Sequence, residues 1–125
     1  MENRPDLVEK LETEREAARL TASALTSGAF PGMETGNPDL YKAFAWRFHN
    51  LLRQEGWLGI VVPRSLFSSK GSAPWRKAVL LESITDIKVT KNENEWLFAD
   101  VNPGYAVCLL TSNKADHETA VIRLS

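Results

Sequence analysis

The basic side chains between residues 64 and 77 are the feature of this sequence that most suggests a chemical role. The chain has no acidic residue from position 56 to position 81. All four charged residues of that stretch are basic: Arg64, Lys70, Arg76 and Lys77. If they follow the carboxyl end of a strand, they lie where open α/β sheets bind ligands, and phosphate contact is expected. Ordinary surface lysines and arginines are the alternative, and composition leaves both open.

Residues that usually carry catalysis or bind metals are scarce. His49 and His117 are the only histidines and Cys108 is the only cysteine, too few for a metal-ligand cluster. The sequence contains no nucleophile elbow, P-loop or dinucleotide-binding glycine motif. We therefore expect neither a metal site nor a catalytic residue in this chain.

Composition limits the class of protein. A chain of 125 residues fits one domain, and a net charge of −1 gives no global basic field, so a nucleic-acid partner would need a local basic patch. A single cysteine cannot form an internal disulfide, which favours an intracellular, cytoplasmic protein. No apolar run is long enough to cross a membrane, and residues 1–20 are charged rather than signal-like. We expect no membrane partner.

The stretch 37–63 combines a helix, a glycine and a strand. Asn37 suits an N-cap, and Gly56 suits the position after the helix. Apolar residues recur at helical spacing and line one face: Leu40, Tyr41, Phe44, Phe48, Leu51 and Leu52. The run 58–62 is apolar without alternation and ends at Pro63, which predicts a central strand, covered on both faces, in a largely parallel sheet.

The rest of the chain predicts few further helices. Residues 6–22 indicate a charged helix, followed by a Ser-, Gly- and Pro-rich loop, and residues 74–82 indicate a second short helix. Alternation predicts a half-exposed strand at 84–89, a continuous apolar run predicts a buried strand at 105–110, and a last strand is expected at 119–124. We divide the chain into a charged helix with a flexible loop, residues 1–35, and an α/β part, residues 36–125.

The order of several motifs resembles a known family. The motifs are Asp39-Leu40-Tyr41-Lys42-Ala43-Phe44, Leu51-Leu52, Gly56-Trp57-Leu58-Gly59-Ile60-Val61-Val62-Pro63, Arg76 with Leu80-Leu81, and Trp96-Leu97-Phe98 before the 105–110 strand. This pattern is similar to the second half of the adenine-specific N6 DNA methyltransferases, in particular the large type fused to restriction enzymes (type IIG-like) or used in phage defence. The resemblance covers about residues 36–112.

The resemblance implies a partial class I S-adenosylmethionine-dependent methyltransferase sheet, which is Rossmann-like. This chain would supply the fifth strand, the last crossover helix and the C-terminal antiparallel hairpin. The family binds S-adenosylmethionine through a glycine-containing loop on its first strands, and it holds the target amine in an Asn-Pro-Pro-aromatic loop. Neither motif is present here, because Asn37-Pro38-Asp39 is better explained as the start of a helix.

The function implied is therefore that of the substrate-side part of a DNA adenine N6-methyltransferase, inactive alone. It would meet DNA through the parent enzyme, and it would need the N-terminal half of the domain as partner or else self-associate, because too few helices are present to cover the sheet. The alternative is a small non-enzymatic α/β module for interaction or oligomerisation.

One aromatic residue has a role implied by the resemblance. The family stacks an aromatic ring on the flipped adenine just before its final antiparallel strands, and Phe98 holds the matching position. Trp96 is the competing candidate, and either ring could instead cap the edge of the sheet.

The first prediction concerns the cofactor. The parent enzyme would use S-adenosylmethionine, but this chain alone should not bind it, because the first strands and their glycine-containing loop are missing. Isothermal titration calorimetry should show no heat of binding. Stoichiometric micromolar binding would contradict the assignment.

Overall fold

The computed structural model describes residues 5–115 and 121–125. Its helices are α1 (Pro5–Thr26), α2 (Leu40–Leu51), α3 (Ser65–Ser68) and α4 (Ala73–Glu82). Its strands are β1 (Trp57–Pro63), β2 (Ser83–Lys91), β3 (Ala106–Lys114) and β4 (Ile122–Leu124). Short 3-10 turns lie at Lys70–Ser72 and Glu93–Glu95. The three expected helices and the first three expected strands are confirmed, with shifted ends. Helix α2 has Asp39 as its N-cap and Leu52 as its C-cap, so neither Asn37 nor Gly56 holds the predicted capping position. Residues 119 and 120 of the last expected strand lie outside the described residues.

The strands form one sheet in the order β1-β3-β2-β4. Strand β3 is antiparallel to both β1 and β2, so β1 and β2 run in the same direction on either side of it, and β4 pairs parallel with β2. The α/β class and the antiparallel β2–β3 hairpin are confirmed. A largely parallel sheet with β1 at its centre is wrong: among the described strands, β1 lies at the edge and most pairing is antiparallel.

One face of the sheet is covered by helices and carries the core. The register aligns Val62 with Cys108, and Ile60 with Leu110 and Ile87. The buried core combines these residues with side chains of α2, α3 and α4: Ala45, Trp46, Leu66, Trp75 and Val79. The ring of Trp75 meets Phe67 edge-on at 5.9 Å, so the crossover between β1 and β2 is packed onto the sheet.

The other face of the sheet is open, which corrects the expectation that β1 is covered on both faces. Trp57 is 71% exposed and Val61 is 53% exposed, and Leu109, which pairs with Val61, is also exposed. An apolar strand without alternation suits burial on both faces, but α2 and α4 pack on the same side. The sequence pattern of β1 is therefore that of a strand with more cover than residues 5–115 and 121–125 provide.

Helix α2 packs through a face different from the apolar one read from its sequence. Its buried residues are Lys42, Ala43, Ala45, Trp46 and His49. Phe44 and Phe48 are exposed and stack on each other at 5.9 Å, and Leu40 and Leu51 are exposed as well. The small alanines allow α2 to approach the core closely, and the indole N–H of Trp46 donates to the carbonyl of Pro31 at 3.0 Å. The larger apolar face is left without a covering element among the described residues.

The loop between α1 and α2 is held down by buried contacts. Met33 is 1% exposed and packs with Leu25 and Ala43. The buried ammonium of Lys42 donates to the carbonyl of Asn37 at 2.7 Å. Gly71 lies so close that a Cβ there would sit 2.3 Å from the Thr35 carbonyl oxygen. This loop is thereby fixed beside the segment that follows β1.

His49 joins three elements at the end of the sheet where β1 and β2 begin. Its Nε2 lies 3.2 Å from Glu82 Oε2, and the ammonium of Lys114 lies 3.9 Å from the same oxygen. Burial lowers the pKa of His49 below its usual value, Lys114 lowers it further, and Glu82 opposes both. The folded protein therefore favours the neutral ring, and the tautomer with hydrogen on Nε2 satisfies the contact with Glu82.

The second prediction follows from this lowered pKa. The unfolded chain takes up a proton on His49 near pH 6.5, before the folded protein does. The free energy of unfolding should therefore fall as the pH drops through about 6.5 and level off below the folded pKa. His49→Gln should remove this part of the pH dependence, measured by urea unfolding between pH 5 and pH 8. His117→Gln, which removes the other histidine, is the control variant. If the free energy of unfolding of His49→Gln depends on pH as that of the unchanged protein does, the assignment is contradicted.

Candidate nucleic-acid interface

The segments that follow β1 and β2 lie at the same edge of the sheet, because these two strands run in the same direction. The N–H of Arg64 donates to the carbonyl of Ala106 at 3.2 Å, and the N–H of Asn92 donates to the carbonyl of Tyr105 at 3.0 Å. We call this edge, formed by residues 64–72 and 92–105, the carboxyl-end rim. The start of α2 joins it, since the hydroxyls of Tyr41 and Ser65 lie 2.9 Å apart.

Two of the predicted phosphate ligands lie exposed on the rim, and a third lies nearby. Arg64 follows β1 directly and Lys70 begins the 3-10 turn. Lys77 is exposed on α4, four residues from its start, which places it about 6 Å along the helix from the rim. The structure therefore places Arg64 and Lys70 on the rim itself, and Lys77 about one helical turn away from it along α4.

Arg76, the fourth predicted phosphate ligand, has a structural contact of its own. It is half-buried, and its Nη1 donates to the carbonyls of Leu66 at 3.1 Å and Ser69 at 2.7 Å. These bonds reach two carbonyl groups at the end of α3, where a helix leaves carbonyls without partners inside the helix; the Ser69 carbonyl also accepts from the N–H of Ser72 at 3.3 Å. Arg76 therefore shapes the segment that carries Arg64 and Lys70.

Loop 92–105 presents aromatic rings to solvent on the rim. Phe98, the predicted stacking residue, is 41% exposed, and Trp96 and Tyr105 are more exposed. The indole N–H of Trp96 donates to the carbonyl of Lys91 at 2.9 Å, so its polar atom is used inside the loop. Phe98 has no polar side-chain atom that needs a partner, so each of these exposed rings is free to contact another flat apolar surface.

Asn92 is a residue that the sequence analysis missed, and it organises this loop. Its side chain is fully buried and bonds to the backbone of Leu97, Phe98 and Val101. The sequence offers only a weak signal for it, an asparagine between charged residues at the end of a strand. Its importance comes from tertiary contacts that no local pattern encodes.

The rim also carries acidic groups, so its surface is not positively charged throughout. Lys91, at the end of β2, lies 3.9 Å from a carboxylate oxygen of Glu93. Asp100 and Glu95 lie on loop 92–105 and are exposed. The positive surface is therefore confined to the β1 side of the rim, and the aromatic surface lies on the β2 side.

Other titratable groups do not form a second site. Burial raises the pKa of the Cys108 thiol, and the positive charge of Arg64 only partly opposes this, so the thiol is a poor nucleophile. Within residues 5–115 and 121–125, no three histidine, cysteine or acidic side chains group as metal ligands do, and His117 lies outside those residues. The helices in the same part of the chain include none with the length and apolar character that a membrane span requires.

A groove of about 390 Å³ lies between β1 and α2. It is lined by Tyr41, Phe44, Ala45, Phe48, Ile60, Val61 and Val62. Its lining is almost entirely apolar, and it follows the edge of β1 that β3 does not pair. These features are typical of a surface that contacts another polypeptide.

Comparisons with known proteins add no identity. No protein-family model matches the chain, and neither a curated protein nor a solved structure matches it.

The third prediction concerns the cations of the rim. Replacing Arg64, Lys70 and Lys77 together by alanine should weaken binding to duplex DNA of any sequence, because phosphate contacts carry no sequence information. Each lost contact should reduce the slope of log K against log salt by about 0.9, measured by fluorescence anisotropy.

The controls separate this role from the structural one of Arg76. Lys10→Ala, an exposed lysine on α1, should leave the salt slope unchanged. Arg76→Ala should instead lower the melting temperature, because the carbonyls of Leu66 and Ser69 each lose the hydrogen bond from its guanidinium. No measurable DNA binding, or an unchanged slope in the triple variant, would contradict the phosphate role.

Proposed function

We propose that this chain is the substrate-side part of an adenine-specific N6 DNA methyltransferase domain, of the restriction-modification or phage-defence type. In this proposal it contacts the DNA backbone and stacks on a flipped adenine. The strands that hold S-adenosylmethionine come from a further segment or a partner polypeptide.

The observation that carries the proposal is the position of the basic segment and the aromatic loop on one rim. A non-enzymatic module has no need for both at the same edge. An enzyme that methylates an adenine amine must take the base out of the duplex, which requires contact with phosphates and a new stacking partner for the base. Arg64 and Lys70 lie on the β1 side of that rim and Phe98 lies on the β2 side.

The order and direction of the elements also support the proposal. The resemblance expects a strand, a crossover helix and a terminal antiparallel hairpin. Strand β1, helix α4 and the β2–β3 pair follow in this order, and β3 inserts between two strands of equal direction. The segment after β1 lies at the carboxyl ends of β1 and β2, where such sheets bind ligands.

The residues of this chain do not fit the cofactor itself. Its first strand is β1, and the segment that follows carries Arg64 and Lys70 and is held together by the guanidinium of Arg76. Residues 64–69, which follow that strand directly, contain no glycine, so we assign no cofactor contact to them. The role left to this chain is to position DNA and the target base.

Phe98 has a clear energetic task in this role. A base removed from the duplex loses its stacking, and an aromatic side chain restores about 1–3 kcal/mol per base. An exposed phenylalanine on a loop that its neighbours hold in place can provide that surface without reorganising.

The uncovered parts of β1 are consistent with a partner. The edge of β1 away from β3 is free among the described strands, and Trp57 and Val61 are exposed on the open face. Natural edges are usually shortened, charged or covered, whereas this edge is apolar and seven residues long. A further strand beside β1 and helices over the open face would complete the layer architecture.

A second candidate function is a non-enzymatic interaction module. The stacked Phe44 and Phe48 beside the free edge of β1 favour it, because they form an apolar surface that needs no DNA to explain it. The two functions differ in what they require of the rim: only the methyltransferase role needs Phe98.

The deciding experiment produces the chain together with the coding sequence that flanks it and measures methyl transfer to DNA. Mass spectrometry of hydrolysed DNA should detect N6-methyladenine. Phe98→Ala should lower kcat/KM by about 5-fold to 100-fold, in line with the loss of one stacked base. Tyr105→Ala, which removes another exposed ring of the same loop, is the matched control and should have a smaller effect. Flanking sequence without an Asn-Pro-Pro-aromatic motif, together with no methylation, would overturn the proposal.

A further inference from the structure

Asn92 uses all the hydrogen-bonding capacity of its side chain on one short loop. Its Oδ1 accepts from the N–H groups of Leu97 at 3.1 Å and Phe98 at 3.0 Å. Its Nδ2 donates to the carbonyls of Phe98 and Val101, both at 2.9 Å. A side-chain amide offers two lone pairs and two N–H groups, so none is left for solvent or ligand. The side chain is 0% exposed, in keeping with a buried amide that is fully bonded.

The contact with Phe98 differs from the others because it is made at two points. The Asn92 amide accepts from the N–H of Phe98 and donates to its C=O. Two opposite bonds to one residue fix both the position of its backbone and its rotation, as a neighbouring strand would. Phe98 is the only residue of the loop to which the Asn92 side chain bonds in this way.

The backbone of the same loop is held in unfavourable conformations. Asn94, Glu95 and Asp100 have φ angles of 54°, 56° and 61°. Left-handed conformations cost non-glycine residues free energy and persist only where surrounding contacts impose them, and they concentrate at binding sites. Asn92 bonds to the loop around these residues: its own carbonyl accepts from the N–H of Glu95 at 2.9 Å, and its side chain bonds to Phe98 and Val101 on either side of Asp100.

The loop does not use this order to bury its apolar groups. Phe98 remains 41% exposed and Val101 38% exposed, with Trp96 and Tyr105 still more open. A loop fixed for stability alone would be expected to place its rings inward, because burial of apolar surface is what stabilises such packing. Order without burial is what a preorganised contact surface needs, since the ordering entropy is then spent before the ligand arrives.

From this geometry we infer that Asn92 is a positioning residue that presents the ring of Phe98 to an unpaired nucleobase. The inference rests on the proposed function, and it goes beyond it by naming the group that makes Phe98 effective. Asn92 does not touch the base; its amide acts through the backbone of Phe98.

Asparagine is the residue whose chemistry this position requires. Aspartate would keep the two acceptor contacts but would lose both donors and turn a carboxylate oxygen toward the carbonyls of Phe98 and Val101. Alanine would lose all four bonds. Glutamine is one methylene longer and would displace the amide. Asn92→Asp and Asn92→Ala therefore remove two and four of these hydrogen bonds, respectively, and aspartate has nearly the same shape as asparagine.

The test uses the full chain and a short single-stranded oligonucleotide that carries 2-aminopurine, whose fluorescence is quenched when it stacks. The unchanged protein should bind and quench the probe. Phe98→Ala should weaken binding by about 5-fold to 100-fold. Asn92→Ala should approach the same loss, and Asn92→Asp should lie between. The double variant Asn92→Ala with Phe98→Ala should bind no more weakly than Phe98→Ala alone, because Asn92 acts only through that ring.

Two controls separate positioning from a general loss of stability. Asn113→Ala removes another amide with two backbone contacts, to the carbonyls of Glu55 and Gly56 at the opposite end of the sheet, and should leave probe affinity unchanged. Amide hydrogen exchange should show faster exchange at Leu97 and Phe98 in Asn92→Asp while the core of β3 stays protected. Circular dichroism checks that each variant is folded.

The outcomes distinguish this inference from the proposed function. If Phe98→Ala weakens binding and both Asn92 variants bind as the unchanged protein does, the positioning role is overturned and the stacking role stands. If the double variant loses affinity additively, Asn92 acts elsewhere and the inference fails. If Phe98→Ala binds normally, or the unchanged protein does not bind the probe, the stacking role itself fails and the inference fails with it.

Discussion

The insertion of β3 between β1 and β2 is the constraint on which the rest of the structure depends. These two strands run in the same direction and cannot be joined by a tight turn, so the chain crosses over through α3 and α4. Strand β3 then bonds to both along its whole length and brings Cys108 and Leu110 into the centre of the core. Without β3 the first strand would have no hydrogen-bonded partner among the described residues.

The same constraint creates the candidate site. Because β1 and β2 run in the same direction, the segments after them meet at one edge, although Arg64 and Asn92 are 28 positions apart in the sequence. The basic segment is shaped by the guanidinium of Arg76, and the aromatic loop is shaped by the amide of Asn92. Each is a buried or half-buried polar side chain that organises backbone groups and leaves other side chains free for contact.

Local sequence patterns predicted where the helices and strands lie better than they predicted which faces of these elements are buried. The existence of α2 and the strand ending at Pro63 follow from apolar spacing and a proline, which are properties of a few neighbouring residues, whereas the helix ends at Leu51, before Gly56. The face through which α2 packs did not follow, because the small Ala43 and Ala45 give a weaker hydrophobic signal than Phe44 and Phe48. Hydrophobic spacing identifies an apolar face without saying whether this chain or another one covers it.

The site was partly accessible to sequence reasoning for a similar reason. Phe98 and the four basic residues were named from residue type, order and family resemblance. The bonds of Arg76 to Leu66 and Ser69, and those of Asn92 to Phe98, depend on distances that only the folded chain defines. In a sequence, polar residues with such structural contacts look the same as ligand-binding residues. Arg76 is an example, because it was predicted to bind phosphate and instead bonds to backbone carbonyls.

If this chain forms one side of a larger sheet, whose other side lies beside β1, the chain should associate with itself when it is alone. Sedimentation velocity of the chain alone, over a range of concentrations, measures this association. We expect reversible association that Val61→Lys abolishes, because a charge on the exposed edge opposes strand addition, whereas Leu20→Lys on α1 has no such effect. A folded monomer at every concentration, with identical behaviour in Val61→Lys, would contradict it.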